Sequence, residues 1–184
     1  TSAISRMKAD YYKEYYKLER EHWWFKGRNH IIHSLLKNQV SSVPLKILNV
    51  GVATGHTSEI LSSLGEVVSV EPNEECCEFL KSKLNLKVIN ASATDLPFEN
   101  NRFDLVCAFD VIEHIEKDEA TQILDKMLEI YPRVVIGTPD GFMHQGEDPF
   151  HGMETTHETH LSGWEAKEFL DRGMKVYRIT DGYP

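Results

Sequence analysis

The chain has 184 residues, 41% hydrophobic and 27% charged, enough for one ordinary core that needs neither disulfide nor metal in order to fold. Twenty Lys and Arg stand against 29 Asp and Glu, a formal charge of -9 with the basic residues scattered, which disfavours a nucleic-acid backbone as partner. No apolar run approaches the ~18 residues of a membrane span. The segment TSAISRMKADYYKEYYK lacks the apolar stretch of a signal peptide, and Cys76, Cys77 and Cys107 are an odd, metal-unlike set, so the expectation is a soluble cytoplasmic protein with reduced thiols.

Residues 11–37 carry Trp24, Ile31, Ile32, Leu35 and Leu36 at helical spacing and predict one or two helices, with Gly27 as the break. KILNV (46–50) is a short buried strand running into Gly51, and a helix over 57–64 follows, closed by Gly65. VVSV (67–70) is a second strand ending in Glu71 and Pro72, after which Asn73 caps a helix reaching about Lys83, with Glu74 and Glu75 at its positive end. Residues 87–90 make a third strand, FDLVCAF (103–109) a fourth, residues 117–130 a helix and RVVIG (133–137) a fifth strand. Residues 141–160 read as a long loop, residues 164–172 as a last helix ended by Gly173, and KVYRI (175–179) alternates like a strand. Strands alternating with helices imply an α/β, Rossmann-like, doubly wound and mostly parallel sheet.

In such a sheet ligands gather at the carboxyl ends of the strands. After the first strand, Gly51-Val-Ala-Thr-Gly55 lets backbone approach a ligand, and the helix beyond offers free N–H groups. After the second comes Glu71, whose two oxygens suit the paired hydroxyls of a ribose. A dinucleotide motif, G-x-G-x-x-G, would need glycine at His56, whereas G-x-G-x-G is met with one change, Ala53. Together the loop and the acid point to an adenosine-type cofactor.

The stretches LNVGVATGHTSEIL (48–61), VVSVEP (67–72), NASATDLPFENNRFDLV (90–106) and DVIEHI (110–115) resemble, in order, the motifs of class I S-adenosylmethionine-dependent methyltransferases. The resemblance implies S-adenosyl-L-methionine as cofactor and S-adenosyl-L-homocysteine as product. By similarity, Gly51, Ala53 and Gly55 would line the methionine and ribose portion, and Glu71 would bind the ribose hydroxyls. Pro72, Ser92 and Ala93 would meet the adenine, and Phe109 and Asp110 would wall the sulfonium. Three positions depart from the family pattern: Asn49 stands where an acid usually supports the loop, Ala53 replaces glycine, and Ser92 replaces an Asp that accepts from the adenine amino group. A hydroxyl can accept that bond and an amide can hold the loop. EHWWFKGR (21–28) and THLSGWEAKEFLDRGMKVYRI (159–179) resemble segments of a bacterial and archaeal methyltransferase subgroup. That implies residues 1–43 as a helical lid on an α/β core of residues 44–184, with Trp23, Trp24, Phe25 and Arg28 in the lid and Arg28 reaching the methionine carboxylate.

A sulfonium is already an activated methyl donor, so the protein need only align a nucleophile and take its proton. His114, just after the fourth strand, is the first candidate base and His160 the second, since imidazoles work near neutrality. Asp110, Glu113, His114, His157 and His160 also compose a plausible divalent-metal set, similar to those of small-RNA 2′-O-methyltransferases and ubiquinone-pathway catechol O-methyltransferases, although DVIEHI also occurs in metal-free relatives. His144, His151, His157 and His160 do not space as a closed zinc site. Phe142, Met143 and Phe150 either wall a substrate pocket or anchor the loop.

The expected reaction is methyl transfer to O or N of a small-molecule acceptor. The alternatives are metal-assisted O-methylation of a catechol or vicinal diol, a non-catalytic cofactor-binding protein, and a nucleotide-dependent dehydrogenase. Family members usually carry a further strand in a terminal hairpin, for which 181–184 leaves no room, so truncation or a homodimer that covers the sheet edge is expected.

Overall fold

The computed structural model describes residues 3–38, 44–96, 102–144 and 159–179. Two helices, α1 (Ala3–Glu21) and α2 (Trp23–Lys37), precede β1 (Leu45–Val50), α3 (His56–Leu61), β2 (Gly65–Glu71), α4 (Glu74–Leu84) and β3 (Val88–Asn90). After these come β4 (Leu105–Phe109), a 3-10 turn (Ile112–His114), α5 (Lys117–Ile130), β5 (Val134–Gly137) and α6 (Ala166–Leu170). The five strands form one all-parallel sheet in the order β3-β2-β1-β4-β5, the doubly wound sheet expected from the sequence. The order reverses between β1 and β4, the place where such sheets open a crevice.

Alternation along the strands divides the core. Ile47, Leu105, Cys107 and Phe109 pack with Ile32 and Leu36 of α2 and Leu61 of α3, whereas Leu48, Val50, Val106 and Ala108 pack with Ile123 and Met127 of α5. Both faces of the sheet are thereby covered, as parallel strands require. Cys76, Cys77 and Cys107 are buried thiols without disulfides. No helix among the described residues is long and apolar enough to cross a membrane.

Four local expectations are corrected. The N-terminal helices part at His22, not Gly27, which lies inside α2. Gly65 does not close α3 but opens β2, where a Cβ would come within 2.0 Å of the Leu45 carbonyl oxygen; the glycine is required by close backbone approach of β1 and β2. The last helix is only Ala166–Leu170, because Trp164 is bridged to Asp140 and Gly141. Residues 175–179 form no strand and pair with none among the described residues, so their alternation reflects no sheet position there.

Candidate active site

The Gly51–Gly55 loop is shaped by backbone conformation. Gly51, Ala53 and Gly55 all have positive φ, at 69°, 45° and 85°. A Cβ on Gly51 would meet Val111 at 2.3 Å, and one on Gly55 would meet Leu80 and Leu84 of α4 at 2.8 Å. Gly55 is therefore needed for packing the loop onto α4, while Gly51 and Ala53 face the cleft. Ala53 carries a side chain in a region that costs L-residues about 1 kcal/mol or more.

Glu71, at the end of β2, is buried and holds the loop from below. Its Oε2 accepts from the Ala53 N–H at 3.2 Å and its Oε1 from the Asn73 N–H at 3.1 Å. Burial pushes its carboxyl above the ordinary range, and the N–H groups of Asn73, Ala53 and Val52 pull it back. Each oxygen keeps a second acceptor site directed to other donors. Asn49 lies behind the loop: it is 1% exposed, and its Nδ2 donates to Ser58 Oγ at 2.8 Å, which is 2.9 Å from Ser69 Oγ. It ties β1, α3 and β2 together rather than facing the cleft.

Pro72, Ser92 and Ala93 line the next stretch of the cleft. Ser92 Oγ accepts from the Thr94 N–H at 3.2 Å and from Thr94 Oγ1 at 2.9 Å. These contacts hold the Ser92 hydroxyl in its own turn beside the cleft.

The N-terminal helices lean on this loop through charged side chains. Glu19, 5% exposed, accepts from Thr54 Oγ1. Burial pushes its carboxyl up to about 7, against the Thr54 hydrogen bond and the charges of Arg20 and Arg28. Arg20 donates to the Thr54 carbonyl, pairs with Glu59 and stacks 3.5 Å over Tyr16. Arg28 pairs with Asp110, which sits at φ 55° just past β4. Trp24, Phe25 and Arg28 line the cleft, whereas Trp23 is 64% exposed.

At the far end, Phe109, Asp110, Glu113, His114 and His160 border the same cleft. The segment 159–164 is clamped onto the 3-10 turn. Leu161 and Ser162 donate their N–H groups to the Glu113 carbonyl, Ser162 Oγ donates to the Ile112 carbonyl, and Trp164 Nε1 donates to Ser162 Oγ. Lys117 caps the clamp, 3.5 Å over the Trp164 ring and 2.6 Å from the Gly163 carbonyl. The rings of His114 and His160 are thereby brought to 4.9 Å, at 73°. His114 Nδ1 lies 3.1 Å from the Thr159 carbonyl and His160 Nδ1 2.7 Å from that of Met143.

Glu113 is 2% exposed; its Oε2 accepts from Thr138 Oγ1 at 3.1 Å, and its Oε1 has no hydrogen-bond partner among the described residues. Burial first, then the charge of Asp110, pushes this carboxyl up to about 8. One ligand atom from each of Glu113, His114 and His160 lies within 4.8 Å of the others. Of the five-residue metal set in the sequence, Asp110 is not in this group, and His157, like Phe150 and His151, lies outside the described residues. Phe142 and Met143 are 60% and 53% exposed, Met143 bordering the cleft.

Glu19, Thr54 and Thr138 escaped the sequence reading. Glu19 falls in register with Tyr12, Tyr15 and Tyr16 on α1, an acid on an otherwise aromatic stripe, and Thr138 is the first residue past β5, so both positions carried a signal.

Residues 47–131 match a family model described as a methyltransferase domain. No curated protein matches significantly. Among solved structures, the PH0226 protein of Pyrococcus horikoshii is 27% identical over 62% of this chain and 59% of its own, with a TM-score of 0.51. A putative methyltransferase of Bacillus halodurans is 13% identical over 75% and 64%, with a TM-score of 0.57. The N-methyltransferase NodS of Bradyrhizobium japonicum, solved with S-adenosyl-L-homocysteine, is 15% identical over 68% and 61%, with a TM-score of 0.52. The chain spans less than two thirds of each of these structures. From β1 to the start of the β5 approach, then, the chain matches a methyltransferase domain, and its sheet has the class I methyltransferase, Rossmann-like architecture.

Proposed function

We propose that this chain is an S-adenosylmethionine-dependent methyltransferase that moves a methyl group to O or N of a small molecule, with α1 and α2 as the cover of its cleft. The observation that carries the reading is Glu71, a buried carboxylate at the end of β2 that is locked by backbone N–H groups beside a loop of positive-φ small residues. A diol-bearing nucleoside fits this donor and acceptor set. Gly51, Ala53 and Glu71 would hold the cofactor's methionine and ribose part, Pro72, Ser92 and Ala93 its base, with Asn49 and Gly55 keeping the loop in place behind them. The cofactor, when bound, supplies an electrophilic methyl on a sulfonium.

The chain's own residues then do three things. Glu71 orients the ribose, and Phe109 and Asp110 shape the wall beside the reacting methyl. His114 or His160, both bordering the same cleft as Glu71, takes the acceptor's proton. Glu19 and Arg28 close the near side against water, and Arg28 can exchange Asp110 for the carboxylate of the methionine part.

Isothermal titration tests the reading. Wild-type protein is expected to bind S-adenosyl-L-homocysteine and to give no heat with NAD. Glu71→Ala is expected to weaken that binding by roughly 30-fold or more, since hydrogen bonds to a charged group contribute about 1.5–3 kcal/mol. Binding of NAD in preference to the thioether would overturn the assignment.

A further inference from the structure

We propose that the hollow between α2 and α3 binds a small oxyanion, a phosphate or a carboxylate, on Lys26, Asn29, His30 and His56. This hollow shares no lining residue with the cleft that carries Glu71. The site therefore stands or falls independently of the methyl-transfer reading.

Two helical stripes meet here. Lys26, Asn29, His30 and His33 stand on α2 at spacings of three, four and seven, and His56, Glu59, Ile60 and Ser63 repeat those spacings along α3 and the turn after it. Stripes with this spacing ordinarily carry the apolar side chains that pack one helix onto another. In these two only Ile60 is aliphatic, and a hollow of about 380 Å³ takes the place of a packed seam.

The groups left without partners are suited to an anion. Asn29 is 3% exposed, and its Nδ2 has no hydrogen-bond partner among the described residues. Arg28 Nε can only donate, so the amide atom 3.4 Å from it is Oδ1 and the unpartnered atom is the NH2 group. His56 Nδ1, which can carry the ring proton, is also buried and unpartnered; Glu59 Oε2, at 3.7 Å, is beyond hydrogen-bond length. Glu59 is itself committed to Arg20 of α1, and Lys26 has no ion pair among the described residues. An oxyanion gives acceptors to Asn29 and His56 together and a counter-charge to Lys26, whereas a cation would meet an ammonium and an amide NH2. Burial, then the charge of Arg20, holds the His56 imidazole below its ordinary value, and an anion beside it acts in the opposite sense. Asn29 neighbours Arg28 and His56 follows Gly55, so an occupant ties α2 to α3 next to both.

Isothermal titration of the full chain with inorganic phosphate and, separately, with acetate at fixed ionic strength provides the test. One saturable site per chain, with a Kd of about 1 mM or tighter, is expected for at least one of the two. Binding of phosphate alone would mark a tetrahedral oxyanion as the ligand class, and binding of acetate alone a carboxylate. Asn29→Leu is expected to weaken binding by about 10-fold or more and Lys26→Met by about 3-fold, with Lys87→Met unchanged. In carbon-proton NMR spectra the His56 ring is expected to titrate at higher pH with the anion bound than without it. Melting curves show whether Asn29→Leu folds; if it does not, Lys26→Met, at an exposed position, takes its place in the comparison. Absence of saturable binding of either anion up to about 20 mM, or an affinity unchanged in the deciding variant, would overturn the site.

Discussion

The two ends of the cleft are built on opposite plans. At the Gly51–Glu71 end the geometry is set by backbone: three positive-φ positions and N–H groups that lock a carboxylate only 18 residues away. At the Glu113–His160 end it is set by side chains and loop contacts that cross 45 to 50 positions of sequence. A ligand at the first end meets a surface prepared by local folding. One at the second meets groups that exist together only once the whole domain has closed.

If that contrast is right, the greatest damage to stability comes from one methyl group at the backbone end. Gly51→Ala places a Cβ 2.3 Å from Val111 at φ 69°, and left-handed strain together with overpacking is expected to cost about 3–4 kcal/mol in urea unfolding. A loss under about 1 kcal/mol would show that the loop adapts and would erase the contrast.

Next in size is the contact of α1 with the loop. The Glu19 carboxyl is raised from 4.5 to about 7, so the native state holds its proton more tightly than the unfolded chain. The sign follows directly. The stabilisation from that proton is complete below about pH 4.5 and is lost as pH rises through about 7. Glu19→Gln, which can still accept from Thr54, is expected to match wild type at pH 4.5 and to exceed it by about 2–3 kcal/mol at pH 8. Equal stabilities at both pH values would mean that water reaches Glu19 freely.

The smallest effect sharpens the first. Ala53→Gly relieves a positive φ without adding contact, and a gain of up to about 1 kcal/mol is expected, a rise of ~2–4 °C in melting temperature. A fall instead would mean that the Ala53 methyl packs better than the strain costs.

The same contrast separates what the sequence discloses from what it hides. The sheet, the loop and Glu71 were legible because each rests on neighbours in sequence: alternation for β4, an Asn73 cap whose Oδ1 does accept from Cys76 N–H, and an acid at the end of a strand. The misreadings arose where a residue answers to something distant. Gly65 looks like a helix stop, yet it is demanded by the Leu45 backbone. KVYRI alternates, but no strand among the described residues pairs with it. Arg28 is readable as a cation beside the cleft, while its pairing with Asp110 across 82 positions is not. Likewise His114 and His160 are each visible as candidates, but the clamp through Ser162 and Trp164 that makes them neighbours belongs to the tertiary structure alone.

The strand order has a consequence for how the molecule comes apart. β1 lies at the centre of the sheet, hydrogen-bonded to β2 over its whole length and to β4 from Ile47 to Val50, whereas α1 reaches the loop through Glu19 and Arg20. Proteins open in cooperative pieces, the least buried ones first. On that ground α1 is expected to detach before β1, the strand that leads into Gly51. Partial unfolding is therefore expected to expose the Gly51–Gly55 loop without dismantling it, so that each opening of α1 returns to a loop that has kept its form.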